Sequence, residues 1–145
     1  MGTDVNLVRA KVQEYMGEFG QIDLLPNGTL SFAHESTRVF VDLMVSEEPT
    51  SVALLVDAPV ALDVPVSPQL WEAIGRRNGS LVYGSFTILT NEDRADVVFR
   101  YSLLADYLDR EELVNAVGMV VAIANAVDEE FVAEFGGRRF IDGQG

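Results

Sequence analysis

The sequence offers few side chains that could do chemistry, and its single histidine, His34, is the first to consider. Glu35 follows it directly, and Glu47 and Glu48 come later in the chain. Because consecutive residues of a strand point to opposite faces, His34 and Glu35 cannot bind one metal ion together. His34 could also act as the base for a serine nucleophile, but no serine lies in a Gly-x-Ser-x-Gly turn. The histidine therefore predicts neither a metal site nor a catalytic triad.

Acidic side chains form three clusters, whose spacing bears on calcium binding and on acid–base catalysis. They are Glu92, Asp93 and Asp96; Asp106, Asp109, Glu111 and Glu112; and Asp128, Glu129, Glu130 and Glu134. None has the alternating Asp or Asn residues and the central glycine of a calcium loop, which favours turns, helix caps and a solvated helix end. A carboxylate-dependent enzyme would need two acids facing each other in a pocket, and it stays open as a third alternative. No motif asks for catalysis or for a cofactor, so we predict a binding protein that uses neither.

The charge balance narrows the choice of partner. The 145 residues include 23 Asp and Glu against 10 Lys and Arg, which gives a formal net charge of −13. Repulsion from phosphate argues against nucleic acid and against anionic membrane surfaces as partners. A basic or apolar partner remains open, as does the simpler interpretation that the acid keeps an apolar-rich protein in solution.

The remaining composition predicts one ordinary domain. Hydrophobic residues make up 48% of the chain and charged residues 23%, as in globular proteins, and 145 residues are enough for one core. We predict a single domain over residues 1–141 and a loose polar tail over 142–145. The chain has no cysteine, and its start, MGTDVNLVRA, lacks the basic and apolar regions of a signal peptide. Both features suit a cytoplasmic protein.

Hydrophobic periodicity predicts three helices and five strands. The first helix can be capped by Thr3 or Asp4, and three antiparallel strands follow it. A short helix then begins at Pro68, and a hairpin leads to a long last helix capped by Asp106 or Asp109. The predicted strands are 29–35, 38–45, 51–57, 80–90 and 95–104. The fold class is therefore α+β in the order α-β-β-β-α-β-β-α, an antiparallel sheet packed by the N-terminal helix and the long C-terminal helix.

One segment between the third strand and the short helix is rich in proline. It is APVALDVPV, residues 58–66, with Pro59 and Pro65. Proline has no backbone N–H to donate, so we predict that this segment crosses the surface in an extended form.

The last helix contains the longest apolar run of the chain. Residues 116–127 fall short of the roughly 20 that a membrane span needs. One apolar stripe recurs at helical spacing and should face the sheet; it consists of Leu113, Val117, Val120, Ala124, Val127 and Phe131. On the opposite side Gly118, Ala122 and Ala126 follow at four-residue spacing beside Asn115 and Asn125, where a solvent face would normally be charged. We therefore expect this row to be covered, either by the first helix or by a second copy of the chain.

Large apolar side chains are more numerous than one sheet covered by one helix layer requires. They are Phe32, Phe40, Met44, Trp71 and Phe86. They favour an exposed groove for an apolar or amphipathic peptide, with acid around it. The alternative is a regulatory domain that binds a small apolar ligand in a cavity between the long helix and the sheet.

The order of elements resembles that of the class I type III secretion chaperones and the related YbjN-like domains. The most similar segments are LPNGTLSFAHESTRVFVDL, SPQLWEAIGRRNGSLVYGSFTILTNEDRADVVFRYSLL and REELVNAVGMVVAIANAVDEEF. The resemblance implies a small α+β protein, usually a homodimer, that holds an extended segment of a client protein. It implies no ATP and no cofactor.

The resemblance also implies where the two kinds of contact lie. The first helix and the strand after it would lie near the client groove, and the short helix and the strand after it near the dimer contact. The client-binding candidates are Val8, Val12, Leu30, Phe32 and Phe40. The dimer-contact candidates are Trp71, Ile74, Tyr83 and Phe86.

Overall fold

Helix α1 (Val5–Met16) begins at one of the two predicted caps. The Asp4 carboxylate accepts hydrogen bonds from the backbone N–H groups of Asn6 (2.9 Å) and Leu7 (3.4 Å). The alternative cap, Thr3, lies outside the residues that the structure, a computed structural model, describes; these are 4–47 and 50–143. A 3-10 turn, Gly17–Phe19, ends the helix.

The strands form one antiparallel sheet of six, in the order β1-β2-β3-β4-β6-β5. Their bounds are β1 (Asp23–Leu24), β2 (Leu30–His34), β3 (Thr37–Glu47), β4 (Thr50–Pro65), β5 (Ser85–Asn91) and β6 (Arg94–Leu104). Helix α2 (Pro68–Gly79) connects β4 to β5, and α3 (Arg110–Phe135) follows β6. The predicted α+β class and the order of the elements are confirmed. Strand β1 was not predicted, because two residues are too few to show an alternating pattern.

The register of the strands separates the two faces of the sheet. Val41 of β3 lies opposite Val56 of β4, which lies opposite Tyr101 of β6. Their chain neighbours Phe40, Asp57 and Arg100 are likewise in register with one another. Because side chains alternate along a strand, these two sets point to opposite faces.

The helices pack against the first of these faces. Helix α3 lies mainly over β4, with further contacts to β3 and β6. Helix α1 contacts α3 and β3, and α2 contacts β5. In the described part of the chain, the face that carries Phe40 and Arg100 has no α-helix packed on it, and Phe140 near the C-terminus packs edge-on against Phe40 at 6.1 Å. We call it the open face.

Helix α3 buries the stripe that its sequence predicts. Five of the six stripe residues are buried and Val127 is half-buried. Its cap is Asp109, whose carboxylate accepts from the backbone N–H of Glu112 at 2.8 Å. No helix in the described ranges is both long and apolar enough to cross a membrane.

The row opposite the stripe is not covered by α1. Ala122 and Ala126 are exposed and Gly118 is half-buried. A Cβ atom built on Gly118 would meet no atom within 4 Å. The back of α3 is therefore uncovered by residues 4–47 and 50–143, and the expectation that α1 covers it is wrong because α1 packs beside the row.

The proline-rich segment is extended, but it does not cross the surface as predicted. It is the second half of β4, and its residues Ala58, Val60 and Ala61 are buried. Strand β4 pairs with β3 only as far as Asp57, and its register against β6 shifts on either side of Ala61. A strand tolerates Pro59 where one edge is unpaired and the ladder is irregular. The prediction failed because proline excludes a regular central strand but not the irregular end of one.

Strand β5 begins at Ser85, five residues later than predicted. Gly84 precedes it with a φ of +75°, in the left-handed region. A Cβ atom on Gly84 would lie 2.6 Å from the Phe99 ring. Only glycine at position 84 lets the backbone pass this close to the Phe99 ring. Residues 80–84 therefore form a loop before the strand begins.

Residues 138–142 are fastened to the domain. The backbones of Arg138 and Leu62 exchange two hydrogen bonds, of 2.7 and 2.9 Å. Arg139 pairs with Glu129 of α3 and with Asp142, and hydrogen bonds from Arg139 hold the pKa of the Asp142 carboxyl below its ordinary value. Asp142 lies in a 3-10 turn, Ile141–Gly143. The remainder of the predicted tail, residues 144–145, lies outside the described residues.

Two glycine substitutions compare a site with free space around it, Gly118 of α3, with a site that lies against another side chain, Gly84 beside Phe99. We expect Gly118→Ala to raise the free energy of unfolding by about 0.5–1 kcal/mol, since alanine is the better helix former and has free space. Gly84→Ala should lower it by roughly 1–3 kcal/mol, through the clash with Phe99 and the strained φ. Urea denaturation of both variants measures the difference. A destabilised Gly118→Ala protein would show that the back of α3 is covered.

A buried charge tests the core stripe. Val120 has 0% exposure, so Val120→Asp places an unpaired carboxylate in the core and should cost roughly 4 kcal/mol or more. The matched control is Ala126→Asp on the bare side of the same helix, where only helix propensity is lost, up to about 0.7 kcal/mol. Circular dichroism melting curves should separate the two, and equal losses would contradict the assignment of the faces.

Candidate functional site

The uncovered side of α3 forms one wall of a surface groove. This α3 groove has a volume of about 490 Å³. It is lined by Phe19, His34, Glu35, Gly118, Val121, Ala122, Asn125 and Ala126. Small side chains on the helix therefore face a wall made by the 3-10 turn after α1 and the turn between β2 and β3.

Phe19 supplies the apolar wall opposite the helix. Its ring stacks on Phe32 of β2, with 5.2 Å between the centroids and 15° between the planes. Phe32 is 2% exposed and sits on the helix-covered face next to Val39. The core thus holds Phe19 in place while one side of its ring borders the groove.

The turn between β2 and β3 forms the polar end of the groove. Glu35 has a φ of +52°, which makes the tight reversal after His34. Ser36 fastens the turn to α3: its backbone N–H donates to Asn125 Oδ1 at 3.2 Å, and its Oγ lies 2.8 Å from the same oxygen. The buried carboxylate of Asp128 is within hydrogen-bond distance of the same Oγ, whose single proton can be donated to only one of the two acceptors at a time. These contacts fix the distance between the turn and the helix.

The chemistry of the α3 groove suits binding. His34 and Glu35 are well exposed, with Nε2 and Oε1 3.8 Å apart. Within residues 4–47 and 50–143, no three His, Asp or Glu side chains are placed to hold a metal ion. The groove offers apolar area along its length and polar groups at one end, an arrangement that accepts a segment of another chain.

A second groove lies on the open face of the sheet. This sheet-face groove has a volume of about 340 Å³. Its lining residues are Leu25, Asn27, Thr29, Phe40, Asp42, Asp57, Pro59, Leu89 and Val98. Pro59 and Val98 are buried although no described helix covers them, which places them at the bottom of the groove.

The client-binding candidates do not form one exposed surface. Val8, Val12, Leu30 and Phe32 come together in the core beneath α1, with exposures of 6%, 0%, 0% and 2%. Phe40 is half-buried on the opposite face, in the sheet-face groove. The four core side chains are therefore covered. Their link to the α3 groove is the stacking of Phe32 on Phe19, which lines it.

The dimer-contact candidates divide into two layers. Ile74 and Phe86 are buried between α2, β5 and α3, where the Phe86 and Phe131 rings lie 6.0 Å apart. Trp71 and Tyr83 are 48% and 57% exposed. Tyr83 also lines a third groove, of about 300 Å³, beside the Tyr101 ring.

The alternative of an apolar ligand between α3 and the sheet has no cavity to support it among the described residues. Val56 and Ala58 of β4 and Val120 and Ala124 of α3 all have 0% exposure and belong to one packed core. The grooves lie outside this layer, at the surface.

Sequence reasoning found one wall of the α3 groove and missed the other. The row of small residues at four-residue spacing gave the helix wall. Phe19 and the turn at His34 were missed because only the packing of distant elements brings them to α3. The hydrogen bond of Ser36 to Asn125, for example, joins residues 89 positions apart.

Three solved structures share this fold. YbjN from E. coli has 14% identity and a TM-score of 0.67, covering 88% of this chain and 93% of that chain. The ExsC–ExsE complex gives 16% identity and a TM-score of 0.63, with 88% and 96% covered. The Yersinia pestis type III secretion chaperone SycH, solved with a stable fragment of YscM2, has 14% identity and a TM-score of 0.55, covering 82% of this chain and 98% of that chain. At these identities the likeness shows the fold.

The family to which the chain belongs is shown by its sequence, because the fold likeness alone does not establish it. A search of curated protein sequences found no match. A family model described as "T3SS (YopN, CesT) and YbjN peptide-binding chaperone 1" matches residues 4–143. This range covers every helix and strand described above. The chain therefore belongs to the family of T3SS and YbjN peptide-binding chaperones.

Proposed function

We propose that this protein is a non-catalytic chaperone or adaptor, active in the cytoplasm, that holds an extended segment of a client protein in the α3 groove. The observation that carries the proposal is a groove of about 490 Å³ whose helix wall is mostly apolar and is left uncovered by the other described elements. Membership of a peptide-binding family supports it. Binding of this kind uses no ATP and no cofactor.

The α3 groove has features that suit a peptide backbone. Gly118, Ala122 and Ala126 have small side chains or none, so a client segment can approach the helix closely. Val121 and Phe19 offer apolar contacts to its side chains. Because Ser36 occupies the Oδ1 atom of Asn125, the Nδ2 group remains to donate to a client carbonyl.

The client-binding candidates enter this proposal in different ways. Phe32 acts through Phe19, whose ring it supports by stacking. Val8, Val12 and Leu30 maintain the core on which that pair rests. Phe40 lies on the opposite face of the sheet, in the sheet-face groove, and takes no part in the α3 groove. The net charge of −13 keeps the loaded complex in solution and favours basic side chains in the client.

A peptide selection tests the α3 groove. The probe is a random 12-residue peptide library displayed on phage, first depleted on the Ala122→Leu protein and then selected on the wild-type protein. Leucine at 122 fills the groove and keeps the helix, because leucine is a good helix former. We expect apolar-rich peptides that bind the wild-type protein at least about tenfold more tightly than Ala122→Leu, since truncating or blocking a central contact commonly costs over 1 kcal/mol.

The matched control is Ala133→Leu, which makes the same change at an exposed position of α3 outside the groove. This variant should bind the selected peptides as the wild-type protein does. If depletion leaves no binding peptide, or if both leucine variants bind equally, the α3 groove is not the client site.

We also propose that the protein is a homodimer whose contact includes Trp71 and Tyr83. Their exposed aromatic side chains are of the type enriched at protein interfaces. Ile74 and Phe86 lie beneath them and hold α2 and β5 in position. The proposal concerns a different surface from the α3 groove.

Light scattering at two protein concentrations measures the mass. The wild-type protein should give twice the chain mass of 15.9 kDa, and Trp71→Glu should give 15.9 kDa, because a charge in an apolar contact is costly to bury. Leu104→Glu is the control, an equally drastic change at a residue that is 63% exposed on the open face. A monomeric wild-type protein would refute the dimer, and loss of the dimer only in Leu104→Glu would move the contact to the open face.

A further inference from the structure

The sheet-face groove carries charged side chains within an apolar surface. Its apolar lining residues are Leu25, Phe40, Pro59, Leu89 and Val98. Asp42 and Asp57 line it as well, and Arg100 of β6 stands directly opposite Asp57 in the register. The groove therefore has a definite charge pattern, which restricts what it can bind.

Asp57 is already neutralised. Arg100 donates from Nε to Asp57 Oδ1 at 2.7 Å and from a terminal nitrogen to Oδ2 at 3.0 Å, in a fork-like pair. The two side chains are only 31% and 15% exposed. These hydrogen bonds raise the pKa of the Arg100 guanidinium, against the opposing effect of burial. An incoming ligand would have to break this pair to reach either charge.

Asp42 leaves the groove with a net negative charge, because the single cation Arg100 stands against two carboxylates. The Asp42 carboxylate accepts a short hydrogen bond from the Thr29 hydroxyl, which is neutral. Arg100 attracts Asp42 electrostatically but gives its hydrogen bonds to Asp57, and among residues 4–47 and 50–143 no Lys or Arg nitrogen forms an ion pair with Asp42. Asp42 is half-buried beside Phe40 and Pro59, where a charge is poorly solvated and gains more from an opposite charge than it would in open water.

This pattern selects one kind of occupant. A second copy of the chain would bring another net negative patch, and another charge of −13, against this one. An acidic ligand would meet the same repulsion. A side chain with an apolar stem and a cationic end matches both the apolar lining and Asp42.

From this charge pattern we propose that the sheet-face groove binds a Lys or Arg side chain of a client segment, with the cation on Asp42 and flanking apolar residues against Phe40 and Val98. The inference rests on the proposed chaperone function and names the client chemistry at a second site. A volume of about 340 Å³ is at the lower end for ligand sites, and it accepts a few side chains of an extended segment.

The test uses the Ala122→Leu protein, in which the α3 groove is filled. The same 12-residue phage library is selected on this protein. We expect enriched peptides with Lys or Arg flanked by apolar residues. Their binding, measured by fluorescence polarisation, should weaken about tenfold when Asp42→Asn is added, since a hydrogen bond to a charged group is lost. It should also weaken as the salt concentration rises.

Two controls isolate the charge of Asp42. Asparagine keeps an Oδ1 acceptor for the Thr29 hydroxyl, so Asp42→Asn should fold with little change in melting temperature. Glu134→Gln removes one negative charge at an exposed site on α3 and should leave binding unchanged. A peptide whose Lys or Arg is replaced by Glu should fail to bind the Ala122→Leu protein, a result that needs no variant at position 42.

The outcomes separate this inference from the proposed function. Peptides specific for the α3 groove, together with no Lys or Arg enrichment on the Ala122→Leu protein, would overturn the second site and leave the first standing. Equal binding to Asp42→Asn would likewise overturn it. Enrichment on the Ala122→Leu protein without α3-groove peptides would support the second site and refute the first.

Discussion

The structure depends on the packing of α3 against one face of the sheet. The α3 stripe with Val117 and Val120 lies on strands whose facing residues, such as Val56 and Ala58, are fully buried. Helices α1 and α2 pack on the same face, on either side of α3. The hydrophobic effect therefore holds the domain together mainly from one side, and the described chain leaves both the back of α3 and the open face of the sheet without an α-helix. The two proposed grooves follow from this one-sided arrangement.

Much of the fold could be predicted because it rests on local patterns. The spacing of Leu113, Val117 and Val120 identified the buried stripe, and the alternation along β2 and β3 identified strands. The segment around Pro59 could not be placed, because its burial depends on where β3 stops pairing with β4 and where the register against β6 shifts. These are properties of strand partners, which a pattern within one segment does not contain.

The candidate sites were harder to predict than the fold for a related reason. Alternation shows that Phe32 and Phe40 lie on opposite faces of the sheet, but it does not show which face receives the helices. Phe32 is buried because α1 and Phe19 cover its face, whereas Phe40 is half-buried on the other face, beside Phe140. The net negative charge at Asp42 illustrates the same limit. It arises because Arg100 donates its hydrogen bonds to Asp57, a pairing that only the register of the strands determines. Such assignments require the tertiary arrangement.

The positions of the two grooves restrict how one client segment could occupy both. His34, at the end of β2, borders the α3 groove, and Thr29, just before β2, borders the sheet-face groove. The strand between them has five residues, a length of about 17 Å. A segment that fills both grooves must therefore pass around the β1–β2 edge of the sheet, where β1 pairs with only Leu30 and Ser31. The shortness of β1 leaves the rest of that edge free of a further strand in the described chain. The C-terminal segment lies close by, because the Ile141 N–H donates to the Ser36 carbonyl at 3.2 Å and Phe140 packs against Phe40. A connecting segment would therefore contact these side chains as it leaves the α3 groove.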